Sequence, residues 1–178
     1  MANTTFQGPV TSKAGFITTG PANVVDADSS ISLTIASHSG KIVHNDAAGA
    51  VTYTLPATNA NSDSAIAGPG ADLNNLSNVG AKFEIFSSIT KTGDLVVQVA
   101  NATDVIIGSA SFIDDSSDNM VGFETASTSD TITLNGSTTG GVTFAKIECT
   151  VIASGKYKVD VISGCTGTPA TPFSAAVS

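Results

Sequence analysis

The residues able to do chemistry in this 178-residue chain are few and scattered. Its two histidines, His38 and His44, stand six apart with no cysteine or carboxylate at metal-ligand spacing beside them. A zinc site needs further convergent ligands that no motif supplies, so both read as solvent-exposed turn residues. The run Asp114-Asp-Ser-Ser-Asp-Asn119 packs three carboxylates and several other oxygen donors into six residues, which a hard cation such as calcium accepts. It lacks the EF-hand spacing and the distal bidentate Glu, and reads as a solvated loop between strands. Asp26-Ala-Asp28 is a weaker signal of the same kind. Nucleophilic catalysis has less support still. There is no Gly-x-Ser-x-Gly elbow and no phosphate-cradling glycine loop with a lysine, and neither histidine stands in a recognisable Ser/Asp or Cys/Asn pairing. With no tryptophan and two tyrosines, platforms for stacking sugars are scarce. The expectation is a protein that is not an enzyme, with no catalytic residue, cofactor or metal.

Composition narrows the partners. Net charge is −8, and all seven basic residues are lysine. Phosphate-backbone affinity comes mainly from Lys and Arg, and anionic membrane surfaces attract the same residues, so neither nucleic acid nor membrane is expected. The apolar runs, such as Leu95-Val-Val97 and Val105-Ile-Ile107, fall far short of the ~20 residues that span a bilayer. The first residues lack the basic and apolar regions of a signal peptide. That pattern predicts folding in a cytosol, where Cys149 and Cys165 stay free thiols rather than pair. Only 12% of residues are charged, about half the usual share. Ser, Thr, Asn and Gly must therefore make most of the polar surface.

Hydrophobic periodicity is two almost everywhere. Ile31–Ile35, Val51–Leu55, Phe83–Ile85, Leu95–Val99, Thr131–Leu134, Val142–Ile152 and Tyr157–Val161 alternate, each bounded by Gly, Asn, Asp, Ser or Pro. No window shows a helical period, and the stretch from Asn59 to Val79, broken by Gly68-Pro69-Gly70, reads as a long loop. The pattern predicts an all-β fold, a β-sandwich or jelly-roll-like barrel of about eight to ten short strands. Three turns look like hairpins: Ser37–Gly40 joining Ile31–Ile35 to Lys41–His44, Asn45–Gly49 joining that strand to Ala50–Leu55, and Ser154-Gly155 joining Val142–Ile152 to Lys156–Ile162. The domain spans 21–163. An extended N-terminal arm covers 1–20, broken for helix by Gly8, Pro9 and Gly15, and an extended tail held open by Pro169 and Pro172 covers 164–178.

The arm carries large apolar residues, Phe6, Val10 and Phe16, that water would not favour, so it should be covered by its own domain or a neighbour. Met1-Ala-Asn-Thr-Thr-Phe6, then Gly8-Pro-Val10, then Gly15-Phe16 resembles the start of small virion proteins of tailed phages, which are thought to decorate or cement capsids. The segment Ser39 to Pro56, then Gly80-Ala-Lys-Phe-Glu-Ile85 and Gly93-Asp-Leu-Val-Val97, is similar to β-rich segments of phage structural proteins, departing from them in the long 58–78 loop. The resemblance implies a capsid decoration protein on the exterior of a virion, folded in the host cytoplasm. It implies a homotrimer bound to the major capsid protein. Thr5, Phe6, Pro9, Val10 and Phe16 would then make the shell contacts, by strand addition and apolar plugs. The alternative is a host-recognition module on a tail or head fibre.

Overall fold

The computed structural model describes residues 23–59, 78–115, 117 and 119–177. Thr5, Phe6, Pro9, Val10, Phe16 and most of the long loop after Asn59 lie outside them.

The period-two segments become strands that bury alternate residues. In chain order these are β1 (Val24–Asp26), β2 (Ile31–Ser32), the single-turn helix α1 (Ile35–His38), β3 (Ile42–Asn45), β4 (Val51–Thr54), β5 (Lys82–Ser87) and β6 (Leu95–Gln98). They continue with β7 (Val105–Asp114), β8 (Asn119–Glu124), β9 (Thr131–Leu134), β10 (Val142–Ala153), β11 (Lys156–Cys165) and β12 (Phe173–Ser174). The fold is all-β: a seven-stranded sheet ordered β1-β3-β5-β10-β11-β7-β8 and a five-stranded sheet ordered β12-β9-β6-β4-β2.

The two sheets share one core. Val43, Ile85, Ile147, Val161 and Ala110 form a row across the inner face of the larger sheet, each the register partner of the next. All are buried, as are Val51, Tyr53, Leu95, Val97, Ile132 and Leu134 on the smaller sheet. Phe112 and Phe123, tilted with ring centroids 5.6 Å apart, seal the β7–β8 end, a geometry that adds to area burial.

Pairing departs from the sequence reading at its N-terminal half. β1, β3 and β5 pair in parallel in one sheet, and β2, β4 and β6 pair in parallel in the other. The chain thus alternates between sheets, one rung at a time. Ser37–Gly40 and Asn45–Gly49 are therefore not hairpin turns; they carry the chain from one sheet to the other. The strand expected over Ile31–Ile35 ends at Ser32, because Thr34 caps α1: its Oγ1 accepts the Ser37 N–H at 3.3 Å. The third expected hairpin is present, with Ala153 opposite Lys156 at the β10–β11 turn. β7 and β8 form a further hairpin that periodicity alone did not single out.

The C-terminal segment docks on its own domain. β11 runs through Cys165, two residues beyond the boundary drawn from sequence. Phe173 is buried opposite Ile132 of β9. Asp130 accepts the backbone N–H groups of Ala176 and Val177 at 2.8 and 3.2 Å.

Two glycines separate backbone necessity from mere turn composition. Gly136 has φ +76°, and a Cβ there would sit 1.8 Å from the Lys91 carbonyl oxygen, whereas a Cβ at Gly49 would meet open space. Gly136→Ala should therefore lower the free energy of unfolding by more than about 1 kcal/mol, and Gly49→Ala should leave it unchanged or slightly raised. Denaturant melts of both variants check this.

Candidate functional site

The parallel rungs bring chemistry together at the C-terminal ends of β1, β3 and β5. Asp26 and His44 are register partners on the outer face of the larger sheet, and Ser88 follows β5 with its N–H on the Asn45 carbonyl at 3.1 Å. His44 Nδ1 lies 3.1 Å from Asp26 Oδ1, and its Nε2 lies 2.9 Å from Ser88 Oγ. A carboxylate can only accept, so a neutral His44 ring would carry its proton on Nδ1 and leave Nε2 to accept the Ser88 hydroxyl. The His44 side chain is 29% exposed and that of Asp26 68%, while Ser88 is on the surface.

This corrects the reading of both histidines as solvent-exposed turn residues without a carboxylate or serine nearby. His38 is buried, its Nδ1 accepting the Thr34 N–H at 2.9 Å within α1. His44 is a strand residue tied to Asp26 and Ser88. The partners stand 18 and 44 positions away, so no local motif could reveal them. The sequence reading marks Lys41–His44 and Phe83–Ile85 as strands but not Val24–Asp26, and alternation does not say that β1, β3 and β5 lie side by side in parallel.

A second cluster adjoins the first. Asp26, Asp28 and Asp46 place ligand oxygens within 4.8 Å of one another, all on exposed residues. The weaker acidic signal of the sequence thus yields the tightest carboxylate group among the described residues, because β1 and β3 run parallel in register and set Asp28 beside Asp46. Asp28 Oδ1 accepts the Asp46 N–H at 3.0 Å. That backbone donor, before all else, holds the Asp28 carboxyl below its ordinary range. Hydrogen bonding to and repulsion by Asp28 push Asp46 upward. In the Asp114–Asn119 run, by contrast, Asp114 is buried and accepts the Ser117 hydroxyl across the β7–β8 turn, so the run is not simply a solvated loop.

Behind the surface lies a buried cation. Lys91 is 2% exposed. Its Nζ donates to Asn45 Oδ1 at 3.0 Å and to the Ala47 carbonyl. Asn45 in turn donates to the Ala27 carbonyl at 3.2 Å, which also accepts the Tyr53 hydroxyl. Burial pulls the Lys91 ammonium below its usual range and pushes the Tyr53 hydroxyl up to about 12. Cys149 and Cys165 are buried free thiols; desolvation raises Cys149 to about 12, leaving it little thiolate character.

The two outer faces differ sharply. The larger sheet displays Lys82, Glu84, Lys146, Glu148, Lys158 and Asp160 in adjacent rows, joined by ion pairs that include Lys82–Glu148 at 2.7 Å and Lys158–Asp160. On the smaller sheet Ser32, Thr54, Gln98, Thr131 and Ser174 form one register row across all five strands, of which Thr131 alone is buried. Thr52, Val96 and Thr133 form the next row. No strand residue on that face carries charge.

Compared with known proteins, the chain matches no family model, no curated protein and no solved structure. Among the described residues, no helix is long and apolar enough to cross a membrane.

The raised proton affinity of Asp46 means that the folded state holds this proton more tightly than the unfolded chain does. Its stabilising contribution is present in acid and lost as pH rises through the raised folded value. Asp46→Asn keeps the N–H that serves Asp28 and removes the repulsion. Thermal melts should therefore show the variant above the parent near neutrality, with the gap closing once both carboxyls are protonated.

Proposed function

We propose that the chain is a structural virion protein of a tailed phage, which decorates the capsid and stabilises it by binding across the joints between major capsid protein subunits. The observation that carries this reading is the charge-free face of the five-stranded sheet. A rigid sheet that presents Thr, Ser, Gln and Val loses little side-chain entropy on docking. It also desolvates no ion, the cost that depletes Lys, Asp and Glu from interface centres. The opposite face carries the ion pairs of Lys82 and Lys158, with Ile107 and Ile162 exposed beside Lys158 and Lys146. The resemblance of Met1–Phe16 to phage decoration proteins supports the same reading. It assigns Thr5, Phe6, Pro9, Val10 and Phe16 to the shell contact and a homotrimer to the assembled form, which would bring three arms to one footprint.

The role is mechanical. A cement subunit adds buried area across a joint that internal DNA pressure would otherwise open, so a stiff core and several separate anchor points serve it better than one deep pocket. The C-terminal segment is docked on its own domain, so this reading gives the shell contact to the N-terminal arm.

Cosedimentation with expanded, undecorated capsids tests the assignment. The full chain should saturate at a copy number commensurate with shell symmetry. Deleting Ala2–Phe16 should leave a folded domain that no longer binds, and binding equal to the full chain would remove the arm from the contact. Thr54→Lys and Thr133→Glu, on the uncharged face, should each weaken binding at least about tenfold, the effect of some 1.4 kcal/mol. Lys158→Glu on the opposite face should not. No binding of the full chain to any capsid form would overturn the reading and bring host-surface attachment forward.

A further inference from the structure

The geometry points to a second, chemical activity: we propose that Ser88, His44 and Asp26 form a nucleophilic hydrolase site acting on sterically open carboxylic esters, such as acetyl esters. This proposal is independent of the capsid reading, and its test shares no readout with it.

Nucleophile–base–carboxylate sites are recognised by geometry and role rather than by sequence order. The structure supplies the contacts: Ser88 Oγ to His44 Nε2 at 2.9 Å and His44 Nδ1 to Asp26 Oδ1 at 3.1 Å. Both lie within the range expected of a nucleophile, its base and the group that orients the base.

Two further observations converge on Ser88. The N–H groups of Ile89 and Thr90, directly after the nucleophile, have no acceptor among the described residues. Backbone donors next to the attacking serine are the usual source of oxyanion stabilisation. Against them stands Thr143, whose N–H donates to Thr90 Oγ1 at 2.8 Å. Thr143 is also the one described non-glycine residue with positive φ, at 60°. A β-branched residue in that region is strained, and such strain gathers at functional sites. It sits where β10 bulges between Val142 and Ala145, beside the end of β5.

The reaction balances without a redox partner. Ser88 Oγ attacks the acyl carbon as its proton passes to His44 Nε2, and negative charge develops on the former carbonyl oxygen beside the Ile89 and Thr90 N–H groups. Collapse breaks the bond to the leaving alkoxide, which takes the proton from His44 and departs as the alcohol. Water then gives a proton to His44 and adds to the acyl carbon, and the acid leaves as Ser88 regains its hydrogen. Asp26 is a positioning residue: it fixes the ring tautomer and never touches substrate. Ser88 and Ile89 are exposed, so the substrate is an ester that can approach a surface rather than enter a cleft.

The test is covalent labelling of the folded full chain by a fluorophosphonate, with the modified residue located by peptide mass, and turnover of p-nitrophenyl acetate as the second measurement. Label should map to Ser88. Labelling and turnover should fall at least about tenfold in His44→Gln, and turnover should be lost in Ser88→Ala. Asp26→Asn should slow both while Asp26→Glu retains them, a rescue that a purely structural contact would not produce in the rate. Label that maps elsewhere, or a rate that His44→Gln leaves unchanged, overturns the proposal. Labelling needs no substitution, so the parent protein decides the matter even if a variant folds poorly.

Discussion

Two parallel strands cannot be joined by a tight turn, because the chain must return to the end from which it started. In this protein the return is made through the opposite sheet. β1, β3 and β5 stack on one side while β2, β4 and β6 stack on the other, and each crossing leaves a short connection at the rim. Much of the rest follows from that winding. Side chains that meet on neighbouring strands of one sheet, such as Asp26, His44 and Ser88, stand 18 or 44 apart in sequence, and rim connections on one side collect in a single place. The antiparallel strands β10 and β11 then continue the larger sheet, and β9 and β12 the smaller. Among the described residues, β1 and β2 are the edge strands at that end of the winding.

This explains which parts of the protein were legible beforehand. Period-two alternation reports which side chains face the core, and Val51, Tyr53, Phe83, Ile85, Ile147 and Val159 are all buried as it requires. Alternation carries no information about which strand is the neighbour, because a face pattern is the same for parallel and antiparallel partners. Turn residues fill that gap only where the turn is tight. Ser154-Gly155 closes β10 onto β11 as its composition suggests, whereas Ser37–Gly40 has similar composition and a different task. Asp26, His44 and Ser88 were therefore legible as residues and illegible as a group. Lys91 is the opposite case: it lies between Thr90 and Thr92, a polar surface stretch by composition. Its burial depends on Asn45 and Ala47, which arrive from another rung.

Charge is segregated in the folded protein more strictly than in the sequence. Lys82, Lys146 and Lys158 face outward from the larger sheet, each paired with Glu or Asp on its own or an adjacent strand. Exposed pairs of this kind contribute little individually to stability. Their larger effect is to keep the middle of that face hydrated, while Ile107 and Ile162 stand exposed beside Lys158 and Lys146. The smaller sheet presents hydroxyl and amide groups instead, which lose much less free energy on desolvation when partners are provided. Among the described residues, every charged residue that lies in a strand belongs to the larger sheet. Composition alone, at 12% charged residues, could not show that the charges are gathered on one side.

The polar corner obeys a different rule. A buried ammonium needs either a carboxylate or several oriented dipoles, and Lys91 takes the second course through Asn45 Oδ1 and the Ala47 carbonyl. Those acceptors are fixed in turn: Asn45 is tied to Ala27, and Ala27 to Tyr53. The described residues contain no buried side-chain donor or acceptor left without a partner, so the corner is a closed network rather than a defect in the core. It underlies the three strand ends that carry Asp26, His44 and Ser88, and it holds them in register from beneath. A surface hydrogen-bonded chain in water normally loses its geometry to side-chain motion. Here the backbone that presents it is anchored by desolvated hydrogen bonds, which are stronger than exposed ones and cannot be exchanged for water without opening the core. The rigidity that the proposed shell-binding role would require is thus the same rigidity that aligns Ser88, His44 and Asp26 at the rim.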